Sequence, residues 1–122
     1  MIITNLISNP RRNVTLKPGE YTPISTVGKQ IGVAYWCTVW LDVSGGSITI
    51  ASCPGIFSKS QRIGWAFTAT ASNPMSMNYN VISGSPTVKV SSMVLCELGE
   101  YQANKTLLDG IGYFTGDTMP RA

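Results

Sequence analysis

The 122 residues are 43% hydrophobic and only 12% charged, with nine Lys and Arg against six Asp and Glu and no His. A chain of this length buries roughly two thirds of its unfolded surface in a single core. Its net charge of +3 is spread along the sequence, which argues against nucleic acid as a partner, and the missing His removes the commonest general base and metal ligand. Twelve Gly and seven Pro, with abundant Ser, Thr, Val and Ile, favour short strands joined by turns over a helical bundle.

In chain order, short strands are expected at 2–7 and 14–16, followed by the turn Lys17-Pro18-Gly19. Residues 33–42 then alternate at the strand period. Val33, Tyr35, Cys37, Val39 and Leu41 form a core face, and Ala34, Trp36, Thr38, Trp40 and Asp42 form an amphipathic one. After Ser44-Gly45-Gly46 a strand is expected at 47–51, then the turn Cys53-Pro54-Gly55. In 62–70 the apolar row is Ile63, Trp65, Phe67 and Ala69, with Trp65 and Phe67 assigned to the core. Residues 75–81 alternate through Met75, Met77, Tyr79 and Val81, and 87–98 through Val88, Val90, Val94, Cys96 and Leu98. The intervening Ser72-Asn73-Pro74 and Ser83-Gly84-Ser85-Pro86 read as turns. Residues 100–109 are the only helical stretch, stopped by Gly110 and Gly112, before a last strand at 112–114.

These elements predict an all-β chain, a single antiparallel β-sandwich of seven to eight strands over residues 1–122, with jelly-roll topology favoured over a meander. The tail 115–122 has few apolar residues and is expected to dock on a neighbouring subunit. Cys37, Cys53 and Cys96 lack metal-ligand spacing and read as reduced core residues; nothing in the spacing pairs them. No apolar run approaches the roughly 20 residues that span a bilayer, and the N-terminus lacks the basic and apolar regions of a secretory signal. No membrane insertion is expected, and synthesis in a cytoplasm is.

Four segments carry a resemblance: the opening Asn5-Leu6-Ile7-Ser8-Asn9-Pro10, the strand 62–71 with its Phe67-Thr68-Ala69, the late strand ending Leu95-Cys96-Glu97-Leu98-Gly99, and the closing Gly112-Tyr113-Phe114-Thr115-Gly116-Asp117-Thr118. In this order they resemble the carbohydrate-binding-module type of jelly roll that recurs in minor tail proteins of bacteriophages. The resemblance implies a bacteriophage virion protein, made in the host bacterial cytoplasm and displayed on the virion surface. Members of that group hold a structural calcium with carboxylates after the opening Asn-Pro and in the late strand. Here those places read Arg11-Arg12-Asn13 and Ser91-Ser92, so neither calcium nor another metal or cofactor is expected.

Trp36 and Trp40 stand four residues apart on the amphipathic face, about 13 Å along a strand. Indoles beside hydrogen-bonding groups suit the faces of sugars, and Arg62, Asn78 and Asn80 on neighbouring strands are the expected polar complement. The competing reading packs both indoles against a covering loop or a partner subunit. Arg11 and Arg12 read either as a phosphate or acidic-neighbour contact or as a solvated pair. Glu97 and Glu100 fall at a turn, and Ser and Thr have no evident base, so no catalytic residue is assigned and no enzyme is expected.

Two functions remain. In the first, the chain is a decoration or accessory subunit on phage head or tail, packing against capsid or tail proteins. Opening at Met1 with no preceding attachment module, it is expected to find anchorage through a homo-oligomer such as a trimer. In the second, it is a minor tail module that recognises a host-surface polysaccharide during adsorption, with many copies multiplying a weak site.

Overall fold

Period-two alternation does organise the chain, over longer reaches than the turn signals suggest. In the computed structural model, residues 4–8 and 12–109 are described. They form β1 (Val14–Thr15), β2 (Thr22–Ile24), β3 (Ala34–Ile50), β4 (Cys53–Phe57), β5 (Gln61–Thr68), β6 (Met75–Met77), β7 (Tyr79–Glu97), α1 (Leu98–Ala103) and α2 (Lys105–Asp109). The fold is all-β and antiparallel, a sandwich of unequal layers. The large sheet has the order β1-β7-β3-β4 with β5 also on β3; the small one pairs β2 with β6. No helix among the described residues is long and apolar enough to cross a membrane.

The axis of the structure is the β3–β7 ribbon, paired from Tyr35↔Glu97 to Ile50↔Tyr79. β4 and β5 lie end to end along the opposite edge of β3, facing its residues 48–50 and 34–41 respectively. Over the paired span β7 uses three more residues than β3, one at each of three register shifts. Each extra residue is a bulge that bends the ribbon and increases its twist. Two segments expected as turns, Ser44-Gly45-Gly46 and Ser83-Gly84-Ser85-Pro86, are therefore bulged positions inside continuous strands. The real hairpin turn is Ala51-Ser52, between Ile50 and Cys53, with Ser52 at φ 68°. Pro54 and Gly55, expected in a turn, belong to β4.

Glycine is required where the ribbon bends. A Cβ on Gly46 would meet the Ser83 carbonyl oxygen, and one on Gly84 would meet the Gly45 carbonyl oxygen. Gly84 also has φ 73°, a region that side chains disfavour.

The core face matches the alternation. Tyr35, Cys37, Val39, Leu41 and Val43 are buried, as are Ile63 and Trp65 beside them, with Phe67 partly buried. Ile24, Met75 and Met77 from the small sheet and Ile7 from the N-terminal segment join this cluster. Each such side chain contributes about 1.5–3 kcal/mol on full burial. The N-terminal segment is tied to the outer edge of β7 by a side chain. Asn5 Nδ2 donates to the Met93 carbonyl at 3.0 Å, its Oδ1 accepts from the Leu95 N–H at 3.0 Å, and the Leu6 N–H donates to the Leu95 carbonyl at 2.8 Å. Asn5 thus pairs backbone groups beside the bulge residue Ser92, which sits at φ 50°.

Strand β2 is an addition to the expected set. The expected helical stretch 100–109 is two short helices starting at Leu98. Residues 2–3 of the first expected strand, Arg11, Gly110 and Gly112, the strand at 112–114 and the tail 115–122 lie outside the described residues.

All three cysteines are free and buried. Cys37 and Cys96 point to opposite faces of the sheet, since Cys37 pairs with Leu95 and Cys96 follows it. Burial pushes every thiol upward; Cys96 rises to about 12, chiefly by burial and then by the nearby Glu100 and Glu97 carboxylates.

Gly46→Ala is expected to cost about 3 kcal/mol, the upper end of overpacking penalties, read as a lower denaturation midpoint in urea. A midpoint indistinguishable from the parent's contradicts the close approach of the strands. Native protein at mildly alkaline pH is expected to leave its thiols unreactive toward a disulfide reagent, whereas unfolded protein titrates all three. Rapid labelling of native Cys37 or Cys96 would show that the burial is wrong.

Candidate functional site

The amphipathic face of β3 divides in two. At its first half Trp36 pairs with Ala66 on β5 and Cys96 on β7, and Thr38 with Gly64 and Val94. Small residues at 64 and 66 leave room for the indole to lie along the sheet. A Cβ on Gly64 would stand 2.5 Å from Trp36 Cζ2. The other side of the indole is covered by Tyr101 of α1, with ring centroids 3.8 Å apart and planes within 8°. Leu98, Tyr101 and Leu108 of the two helices close over Val94, Cys96 and Trp36 as a second, smaller core. Trp36 is therefore held between the sheet and a helix of its own chain.

Arg62 is the tie across this cover. Its Nη2 donates to the Leu108 carbonyl at 2.8 Å and its Nε to Thr38 Oγ1 at 3.3 Å, while Thr38 Oγ1 donates to the Ile63 carbonyl at 2.8 Å. A cation at the last turn of a helix satisfies a carbonyl that has no intrahelical partner. Arg62 thus fixes α2 on the sheet instead of facing an open groove.

The second half of the face is open. Trp40 is 39% exposed, and its Nε1 donates to Asp42 Oδ1 at 3.0 Å. Asp42 pairs with Lys89 across the ribbon, and both border a shallow depression of about 300 Å³ with Ser44, Ser60 and Thr87. Trp40 and this depression are the part of the expected sugar-binding face that solvent reaches.

Asn78 and Asn80 do not join it, which corrects their expected place. Residues 75–81 and 87–98 were expected as separate strands, but 79–97 is one strand antiparallel to β3. It carries Asn80 to Thr49, nine residues from Trp40 along β3, about 30 Å of extended chain. Asn80 is exposed there. Asn78 is buried between β6 and β7, and its Oδ1 has no hydrogen-bond partner.

Glu97 ends β7 and precedes α1. Glu100 lies on α1, and its carboxyl is raised above the usual range, first by burial and then by Glu97, against a lowering hydrogen bond from the Thr4 backbone. Among the described residues no three Cys, Asp or Glu converge as metal ligands would. The residues that alternation alone missed are Gly64 and Tyr101. Their signal was a glycine directly across from a tryptophan-bearing strand, and an aromatic three residues after Leu98 on a short helix.

Trp36→Ala is expected to destabilise the fold by about 3 kcal/mol, the lower end of the range for deleting a large aromatic, since the indole is partly buried. Trp40→Ala should cost less than about 1 kcal/mol, as for a surface substitution. Denaturant unfolding of the two variants compares them directly, and equal losses would remove the stacked pair as a structural element.

Set beside models of protein families, curated proteins and solved structures, the chain matches none of them.

Proposed function

We propose that this chain is a non-enzymatic bacteriophage virion protein of jelly-roll type, a decoration or accessory subunit that packs against neighbouring virion proteins and against copies of itself. One observation carries the reading: an open strand edge at the bent end of the ribbon. The outer edge of β7 is covered at 88–90 by residues 14–16, at 93–95 by Asn5 and Leu6, and at Tyr79 by Pro18 and Gly19. Between Asn80 and Thr87 no described residue pairs with that edge.

Along this stretch Val81 is 44% and Ile82 53% exposed. Ile82 is the extra residue of a bulge, opposed by no residue of β3. Unpaired backbone groups beside exposed aliphatic side chains form a surface that another chain can complete, by strand pairing and by apolar contact. Closed symmetric association satisfies such an edge without open-ended growth.

The absence of a histidine and of an evident base for the Ser and Thr hydroxyls supports the non-enzymatic part. The four resembling segments support the phage assignment, and their Asn5 and Leu6 have a defined role in clamping the N-terminal segment to β7.

The alternative function, recognition of a host-surface polysaccharide by a minor tail module, is favoured on this face only by the exposed indole of Trp40. Trp36 and Arg62 are engaged within the chain.

Mass spectrometry of virions purified from the phage that encodes the chain tests the main reading. A fixed copy number per particle is expected; expression in infected cells without incorporation overturns it. In sedimentation velocity the parent chain is expected to self-associate, and Ile82→Lys to weaken association at least tenfold with an unchanged melting temperature. A monomeric parent, or association unaffected by the charge, contradicts the role of this edge.

A further inference from the structure

A second cleft lies away from the tryptophan face, where the end of β5 and the following 69–71 segment meet β6 and the Ala51-Ser52 turn. It encloses about 440 Å³, within the range of small-molecule sites. Among the described residues Lys29 is its one charged lining residue, and no Asp or Glu borders it.

Lys29 is only 6% exposed. The one ion pair among the described residues is Lys17–Glu20, on the surface at 4.0 Å, so the Lys29 ammonium has no carboxylate partner there. Burial lowers its pKa from the ordinary lysine value. A partly desolvated cation without a carboxylate partner is destabilising, and a bound anion offsets that.

The backbone that carries Lys29 is fixed. Its N–H donates to Asn73 Oδ1 at 2.9 Å, and the same oxygen accepts from Thr26 Oγ1 at 2.6 Å. The loop is further held by Gly32 N–H to the Ala69 carbonyl at 2.8 Å and Ala69 N–H to the Val33 carbonyl at 3.0 Å. Folding therefore fixes the backbone that carries the lysine before any ligand arrives, which lowers the ordering cost of binding.

Around it, Tyr21 is 69% exposed and Phe67 partly buried. Thr68, Thr70 and Ser76 add hydroxyls that both donate and accept. Aromatic faces suit the C–H face of a pyranose, hydroxyls suit its hydroxyls, and the ammonium suits a carboxylate. We propose that this cleft binds a carboxylate-bearing sugar residue, a uronate or a similar acidic pyranose, with Lys29 as its counter-ion. The inference is independent of the virion reading and places sugar recognition away from Trp36 and Trp40.

The test uses the full chain at constant ionic strength, titrated with methyl glucuronoside, methyl glucoside and acetate, and followed by amide NMR shifts. The glucuronoside is expected to bind saturably, at least tenfold more tightly than the neutral glucoside or acetate, with shifts centred on residues 68–76 and Lys29. Lys29→Met, which keeps the apolar stem, should abolish that preference while the melting temperature holds or rises. Lys29→Arg should retain part of it.

Three outcomes overturn the proposal. They are equal affinity for glucuronoside and glucoside, a preference that survives Lys29→Met, and acetate binding as tight as that of the glucuronoside, which would assign the cleft to a protein carboxylate. Failure here leaves the incorporation measurement on virions untouched, and that measurement can fail without affecting this one.

Discussion

The pairing of β3 with β7 is the constraint on which the other elements depend. Both strands run the length of the molecule, and every other strand of the large sheet is attached to one of them. Because β7 carries three extra residues, the ribbon cannot be flat. Its bends decide which residues share a neighbourhood: Trp36, near the start of β3, lies under the helical cover, while the end of β5, β6 and the Ala51-Ser52 turn come together around one cleft. The backbones come close at Gly45, Gly46 and Gly84, where a side chain on either strand would collide with the other. Small residues there are a condition of the pairing itself.

The two faces of β3 show how one alternating pattern supports two different kinds of burial. The odd-numbered row packs into a large core, as period two requires. Between residues 34 and 42 the even-numbered row begins under α1 and α2 and runs out into solvent, so Trp36 and Trp40, identical in residue type and face, have different surroundings; past the Gly45-Gly46 bend the even positions Ile48 and Ile50 turn into the core. Stacking on Tyr101 and the Arg62 bond to Leu108 use groups that, in an open groove, would serve a ligand. What differs is the chain 60 or so residues away, which alternation within a strand does not report.

Legibility followed the range of the physics. The core rows at 35–41 and 63–67 were readable because burial on one face imposes a local period. The position of Trp65 in the core came from that alone. Turn chemistry was ambiguous because Gly, Ser and Pro serve bulges as well as turns. Ser44-Gly45-Gly46 and Ser83-Gly84-Ser85-Pro86 have turn composition, yet they lie directly across from each other and bend a continuous ribbon. Reading them as turns split two strands into four and placed Asn78 and Asn80 beside Trp40. Strand β2 was not legible, since Thr22-Pro23-Ile24 is three residues with a central Pro. Lys29 gave no signal in sequence either, because its burial depends on Asn73 and the 69–71 segment far along the chain.

An edge that runs beside Val81 and Ile82 without a partner among the described residues is a hazard that folded chains ordinarily suppress with charge, covering segments or short strands. The remainder of the β7 edge is managed in that way, by residues 14–16 and by the side chain of Asn5. At 80–87 those devices are absent among the described residues: no Lys, Arg, Asp or Glu lies between Asn80 and Thr87. The bulge at Ile82 and Pro86 limit extended pairing, which disfavours fibre-like growth but leaves room for a short, defined contact. An edge protected against indefinite addition and unprotected against a single addition has the properties of an assembly surface. That asymmetry, more than the buried area of any patch, is the physical basis for reading the chain as a subunit.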